Sequence, residues 1–236
     1  MGHQLRSASQ SMDMEIVFSE LEKYGKLDYV CSWYYKACNY MIGTKIKCRL
    51  KSPTKSVKEC ALTPALFTQI RQPNSDYLII PRHSSENRRY IPFGFLSCNV
   101  IVGDACSIIP NASLYLFGVL ESNVHMAWTK TVCGRIKSDY RYSPAVYNNF
   151  PWPEPTATQK SAIEQTAQGI LDARAKYPDC SLADLYDETT MPPELRKAHQ
   201  QNDRAVMQAY GFSLKMTESE CVAELMKMYS QLTKQS

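Results

Sequence analysis

Residues 150 to 155 read Phe-Pro-Trp-Pro-Glu-Pro, and no regular element runs through such a segment. Prolines at alternate positions remove backbone donors, clash with a preceding helical turn and break the ladder of a central strand. The chain must change regime here, and the residues on either side differ as that requires. From Thr44 to Asn149, short runs of β-formers recur: YLIIP at 77–81, CNVIV at 98–102, CSII at 106–109 and SLYLFGVL at 113–120. Turn residues separate them, among them Pro92, Gly94, Gly103, Pro110 and Asn111, so this stretch predicts short, mostly antiparallel strands with some helix. The aromatic–proline run is then a hinge that ends the strand-rich region and fixes where the tail packs.

The tail is helical by its punctuation. Thr156 with Gln159 forms a capping box ahead of Ile163, Ala167, Ile170 and Leu171, and Ser181 with Asp184 opens a shorter helix. Pro192 and Pro193 suit a first turn, followed by Leu195, Ala198, Val206, Ala209 and Tyr210, with Gly211 as the stop. Thr217 with Glu220 starts a last helix. Within the third, Ala198, Asn202, Ala205 and Ala209 share a face with His199 beside them, which predicts a packed helix carrying a satisfied polar residue. At the other end of the chain, apolar residues at 27, 30, 31, 34, 37, 38, 41 and 42 form a helical stripe closed by Gly43. Its aromatic residues, Cys31 and Cys38 are expected in a core. The reading is α+β: a helical piece over 1–44, a β-rich domain over 45–154 and a small helical bundle over 155–236.

Charge is distributed unevenly along this order. Residues 1–44 carry 4 Lys/Arg against 5 Asp/Glu, residues 45–149 carry 14 against 6, and residues 150–236 carry 9 against 12. The middle therefore stands at +8 within a chain whose net charge is +4, a footprint that suits a polyanion. The nine cysteines include no C-x-x-C pair and read as scattered reduced thiols; the dispersed histidines give no metal-ligand spacing. No apolar run approaches the roughly 18 to 20 residues needed to cross a bilayer, and the N-terminus has no apolar signal core. A cytoplasmic protein without a membrane span, with some non-native sequence at its start, is the expectation.

Two clusters in the basic middle have nucleic-acid chemistry. PRHSSENRRYIPFGF (81–95) concentrates Arg82, Arg88 and Arg89 with Ser84 and Ser85, groups that bond phosphate oxygens without reading sequence. GRIKSDYRYS (134–143) interleaves Arg135, Lys137, Asp139 and Arg141 with Tyr140 and Tyr142. Arginine and lysine can bond guanine O6 and N7, and aspartate can accept from cytosine N4. Arg135, Lys137, Asp139 and Arg141 are together candidate base contacts. Arg82, Ser84, Ser85, Arg88, Arg89, Lys130 and Tyr140 are candidate backbone contacts, and Asp104, in a loop before the central strands, is a further base-reading candidate.

VYNNFPWP (146–153) is similar to the Asn-Pro-Pro-aromatic loop with which amino-methyltransferases hold an extruded base. Here Phe150 follows Asn149 where that loop has proline, and none of the nine glycines forms the G-x-G of a cofactor turn. Methyl transfer through Asn149, Phe150, Pro151 and Trp152 is therefore the disfavoured alternative.

The blocks P-x-x-SSENRRYIPFGF, LYLFGVLESNVHMAW, GRIKSDYRYS and VYNNFPWP, then SLADLYDETTMPPELRKAHQQNDRAVMQAYGF, closely resemble the end of the MmeI-like (Type IIL) combined restriction and N6-adenine methylation enzymes. The resemblance runs from about residue 48 to 236. It implies a target-recognition domain followed by a C-terminal helical domain, with base-specifying residues just before the RYS element, at Lys137 and Asp139. GKLDYVCSWYYKACNYMIGT (25–44) is similar to part of that family's methyltransferase domain, as if a longer parent had been shortened and joined. The catalytic loop, the S-adenosylmethionine turn and nuclease motifs of the family have no counterpart here, so no catalytic residue is carried over and no cofactor is expected in this chain. The resemblance implies a double-stranded-DNA recognition module of a prokaryotic restriction-modification enzyme. A second reading is a specificity fragment that docks on a separate methyltransferase domain or subunit through the helix at Leu27 to Ile42, whose apolar face would lack its original neighbour.

Overall fold

The computed structural model describes residues 7–19, 31–63 and 71–234. They divide into two compact units, 1–71 and 72–236.

In the first unit, helix α1 (Ala8–Val17) is opened by a capping box between Ser7 and Gln10. It buries Met14, and beyond its end Phe18 lies with its ring 5.0 Å from that of Tyr35. Tyr35 belongs to α2 (Cys31–Leu50), which continues through Gly43 rather than stopping there. A lone glycine costs a helix about 1 kcal/mol, too little to end one whose next residues, Thr44 to Leu50, still propagate it. A short α3 (Lys55–Glu59) follows, and the Arg49 guanidinium donates to the carbonyls of Cys60 and Thr63 at 2.6 and 2.7 Å. Most of what was expected in a core is outside it: in the stripe Tyr34 is 69% and Ile42 42% exposed and Cys38 is exposed, with Cys31 half-buried, and of the helix's other aromatic residues Trp33 and Tyr40 are 68% and 83% exposed. Leu27 and Val30 lie outside the described residues.

The second unit contains two antiparallel sheets and seven helices among the described residues. In the first sheet, β1 (Tyr77–Pro81) runs between β3 (Gly94–Leu96) and β4 (Cys106–Pro110). The second is built from β2 (His83–Ser84), β5 (Gly134–Ile136) and β6 (Asp139–Arg141), with β6 central. Two runs read from sequence as strands are not strands. Residues 98–102 form a loop whose Val100 carbonyl accepts from the Gln72 amide and the Tyr77 hydroxyl, and Ile101 is exposed. Residues 114–120 form helix α4 (Leu114–Leu120), because the Ser113 hydroxyl accepts from the Leu116 N–H and opens a turn. An apolar run of that length carries no period that separates a strand from a buried helix.

Helix α5 (Asn123–Val132) follows α4, and α6 (Pro144–Asn148) leads into the proline run. The tail then forms α7 (Ala157–Ala175), α8 (Leu182–Leu185), α9 (Pro193–Ala209) and α10 (Glu218–Lys234). The capping boxes at Thr156 and Ser181 are formed, and Gly211 ends α9 with φ +70°. Gly118 on α4 is where the tail meets the rest. A Cβ there would lie 2.7 Å from Ile163 Cγ2 and 3.1 Å from Ala167 Cβ and Asn202 Oδ1. The Asn202 amide donates to the Gly118 carbonyl at 2.7 Å, and the Thr166 hydroxyl donates back to the Asn202 carbonyl oxygen at 3.1 Å.

A buried polar cluster crosses the same seam. Arg174 of α7 donates to Glu121 at 2.8 Å, to the Phe93 carbonyl at 2.7 Å and to the Tyr186 hydroxyl, while the Phe93 N–H donates to Glu121 at 2.8 Å. Burial pushes the Glu121 carboxyl up to about 7 against the pull of Arg174. His199 donates from Nδ1 to the Glu121 carbonyl at 3.2 Å and its Nε2 accepts from Tyr186 at 2.7 Å. Burial, then the charge of Arg174, lower its imidazole to about 3, so it is neutral near pH 7. It is the satisfied core histidine that its helix face predicts.

Candidate nucleic-acid interface

The second sheet brings the two basic clusters together. His83 pairs with Arg141 and Ser84 with Tyr140, while Gly134, Arg135 and Ile136 pair with Arg141, Tyr140 and Asp139. Directly opposed residues share a face and successive ones alternate. His83, Gly134, Ile136, Asp139 and Arg141 therefore line one face, and all five are exposed. Ser84 and Tyr140 point the other way and are only 3% and 4% exposed. That corrects their expected role as phosphate contacts: the pleat turns both side chains inward.

The hairpin between β5 and β6 has Lys137 and Ser138 as its two turn residues, with Lys137 at φ +55°. Hairpin turns of this length need positive φ at their first central residue, where glycine or asparagine is favoured. Arg135 supplies what holds a lysine there. Its guanidinium lies 4.1 Å over the Tyr140 ring and donates from Nη1 to the Ser138 carbonyl at 2.7 Å. Arg135 thus braces the turn, and Lys137 is projected at its tip. Asp139 sits beside it, with one carboxylate oxygen accepting from the Glu86 N–H at 3.3 Å. Over 82–89 and 134–141, six Lys/Arg face two Asp/Glu, so the excess seen in sequence is gathered in space.

The remaining candidates are placed less favourably. Arg88, Arg89 and Lys130 line one cavity of about 400 Å³, but Glu86, Glu188 and Glu218 line it too. Lys130 is paired with Glu218 at 2.7 Å, joining α5 to α10, and Arg89 lies 5.8 Å from the centre of the Tyr90 ring. Ser85 shapes its own turn, its hydroxyl accepting from the Asn87 N–H at 3.3 Å. Arg82 is exposed and its N–H donates to the Ala105 carbonyl at 2.9 Å, which brings the exposed Asp104 loop to the end of β2 remote from the hairpin tip. His83, absent from the candidates read in sequence, is found only through its register with Arg141. A period-two alternation shows which residues share a face of one strand and not which strand lies beside it.

The proline run makes no site of the methyltransferase kind. Phe150 is buried with its ring edge-on to His125, and Trp152 packs edge-on against Phe150 and Tyr147. The Pro151 carbonyl accepts from the Tyr210 hydroxyl at 2.9 Å, and the Val146 carbonyl accepts from Trp128 Nε1 at 2.9 Å. The aromatic ring that would stack on an extruded base is packed against Phe150 and Tyr147 instead.

Comparison with known proteins is specific. Residues 36–154 match the family described as the MmeI target recognition domain, and residues 156–236 match the MmeI C-terminal domain. The chain is 39% identical over 186 residues to DNA methyltransferase A of Bacillus subtilis (strain 168), a match covering 78% of this chain and 21% of that protein. It also aligns with a solved structure of the Type IIL restriction-modification enzyme MmeI in complex with DNA, at a TM-score of 0.73 and 47% identity, covering 83% of this chain and 26% of the other. The chain thus spans about a fifth to a quarter of the length of these relatives. No helix among the described residues is long and apolar enough to cross a membrane.

Proposed function

The chain belongs to the MmeI family, and from that premise we propose that it is the double-stranded-DNA recognition module of an adenine-N6 methyltransferase of a restriction-modification system. In this reading, residues 45–154 form the target-recognition part and 155–236 its helical support. S-adenosylmethionine and methyl transfer belong to a methyltransferase domain outside this chain, and the setting is the bacterial cytoplasm. The observation that carries the reading is the second sheet, which presents Lys137, Asp139 and Arg141 on one exposed surface with their backbone braced from behind by Arg135 and Tyr140. Polar side chains at the end of a braced hairpin suit base edges in a major groove, which admits a two-stranded ribbon.

The test is selection from a random duplex library, with binding of the enriched pool followed from about 50 to 200 mM salt. A short enriched motif is expected. Replacing Lys137 or Asp139 should change the preferred base at one position, by about 1 to 3 kcal/mol of discrimination. Binding without a motif, or loss that is uniform over all sequences in both variants, overturns the assignment.

The exposed aromatic face of α2 favours a second, compatible reading. Trp33, Tyr34 and Tyr40 stand outside any core among the described residues, and a surface of that kind suits contact with a methyltransferase domain or subunit.

A further inference from the structure

The glycines of the second unit differ in what requires them. Gly118 is held by close packing and Gly211 by its left-handed backbone, as described above. Gly134 has neither reason. A Cβ there would meet Arg141 Cβ at 3.9 Å and the Arg141 carbonyl oxygen at 4.0 Å, which is ordinary van der Waals contact, and its φ is outside the left-handed region. A strand is an unfavourable place for glycine, which has no side chain to pack and loses more backbone freedom than other residues. The fold gains nothing from the missing side chain at this position.

The neighbours of Gly134 suggest what does gain. Across the sheet, Gly134 stands opposite Arg141, and Arg141 stands opposite His83. The three make one row on the exposed face, about 10 Å wide at two strand spacings. Neither the Arg141 guanidinium nor the His83 ring has a hydrogen bond, ion pair or ring contact among the described residues. A strand glycine that neither packing nor backbone requires can mark close approach by another backbone or a ligand. Here the missing side chain adjoins a guanidinium and an imidazole that are unpaired among the described residues.

We infer that Gly134 is a clearance position, whose missing side chain lets duplex DNA settle against this row and come within reach of Arg141, with His83 bonding a phosphate oxygen of the approaching strand. The inference rests on the DNA-binding reading above and deepens it, adding two interface residues that the basic clusters alone do not reveal. A Cβ with two methyl groups at residue 134 would stand between the sheet and the duplex while suiting the strand itself.

The experiment uses the full chain and a fluorescently labelled pool of random-sequence duplexes at about 50 mM salt. Gly134→Val is expected to keep or raise the melting temperature and to raise Kd about tenfold, equivalent to about 1.4 kcal/mol. His83→Ala is expected to raise Kd for all duplexes alike. Wild-type affinity in Gly134→Val, beside salt-sensitive binding by the wild-type chain, overturns the clearance role and leaves the DNA-binding reading standing. No binding by the wild-type chain overturns both. If Gly134→Val melts early, Gly134→Ala decides: its single methyl group meets only ordinary contacts, so a raised Kd at unchanged melting temperature supports the role and an unchanged Kd removes it.

Discussion

Lys137 occupies a backbone conformation that costs a side-chain-bearing residue roughly 1 to 2 kcal/mol, and the brace from Arg135 to the Ser138 carbonyl offsets that strain. Lys137→Gly should therefore raise stability, by up to about 1 kcal/mol, while removing the preference for one base in a duplex selection. Thermal melting and selection on the same variant check both halves, and a destabilised Lys137→Gly would contradict the assigned turn. His125 offers a second single-residue test. Its Nδ1 donates to the Leu120 carbonyl and its Nε2 accepts from the Tyr142 hydroxyl, both at 2.9 Å, and burial lowers its imidazole from 6.5 to about 3. The native value lies below the ordinary one, so the unfolded chain takes up the proton first. This contribution is complete above about pH 6.5 and is lost as pH falls toward 3, with a slope up to about 1.4 kcal/mol per pH unit. Glu121 and Asp203, raised chiefly by burial to about 7 and about 6, act with the opposite sign and lose stability as pH rises through those values. His125→Gln retains a donor and an acceptor without titrating, so between pH 6 and 4 its stability should fall less steeply on acidification than the wild type's, as measured by urea unfolding at each pH. At this scale the sequence was legible in gathering Arg135, Lys137, Asp139 and Arg141 into one local segment, which folds into a single exposed hairpin. It was not legible for Ser84 and Tyr140, because the same residue types serve on either face of a strand and the register decides between them.

Helix α4 shows why element type was harder to read than element position. Its seven residues, Leu114 to Leu120, have one glycine and no polar residue to mark a period, and α4 packs against both α7 and α9, so no solvent face imprints itself on the sequence. By contrast, the caps at Thr156 and Ser181 and the stop at Gly211 depend on local hydrogen bonds and dihedral angles, and those were read correctly. The contact made through Gly118 gives the element-level prediction. Gly118→Ala gains up to about 1 kcal/mol of helix propensity. It also drives a methyl group to 2.7 Å from Ile163 and 3.1 Å from Ala167 and Asn202, and overpacking of that kind costs about 1 to 3 kcal/mol. The net change should be destabilising, with a lower melting temperature, and a higher one would mean that α4 and α7 do not approach as described.

Taken whole, residues 72–236 have one continuous core, into which the first sheet, α4, α5 and the helical tail all contribute. Arg174 is one link across it, because its guanidinium joins Glu121 and the Phe93 carbonyl before the proline run to Tyr186 after it. Arg174→Leu would leave Glu121 buried without its partner, a change of about 3 to 5 kcal/mol. Sheet and helices should then melt together, so Trp128 fluorescence and far-ultraviolet circular dichroism are expected to shift by the same amount; separate transitions would show two independently stable parts. The pleat of β6 has a wider consequence. Tyr140 anchors the ribbon inward while Asp139 and Arg141 face outward, so every second position is free of the packing that constrains its neighbours. A lineage could replace those outward residues one at a time, each step acceptable to the fold, and change the chemistry of this surface without passing through an unfolded ancestor.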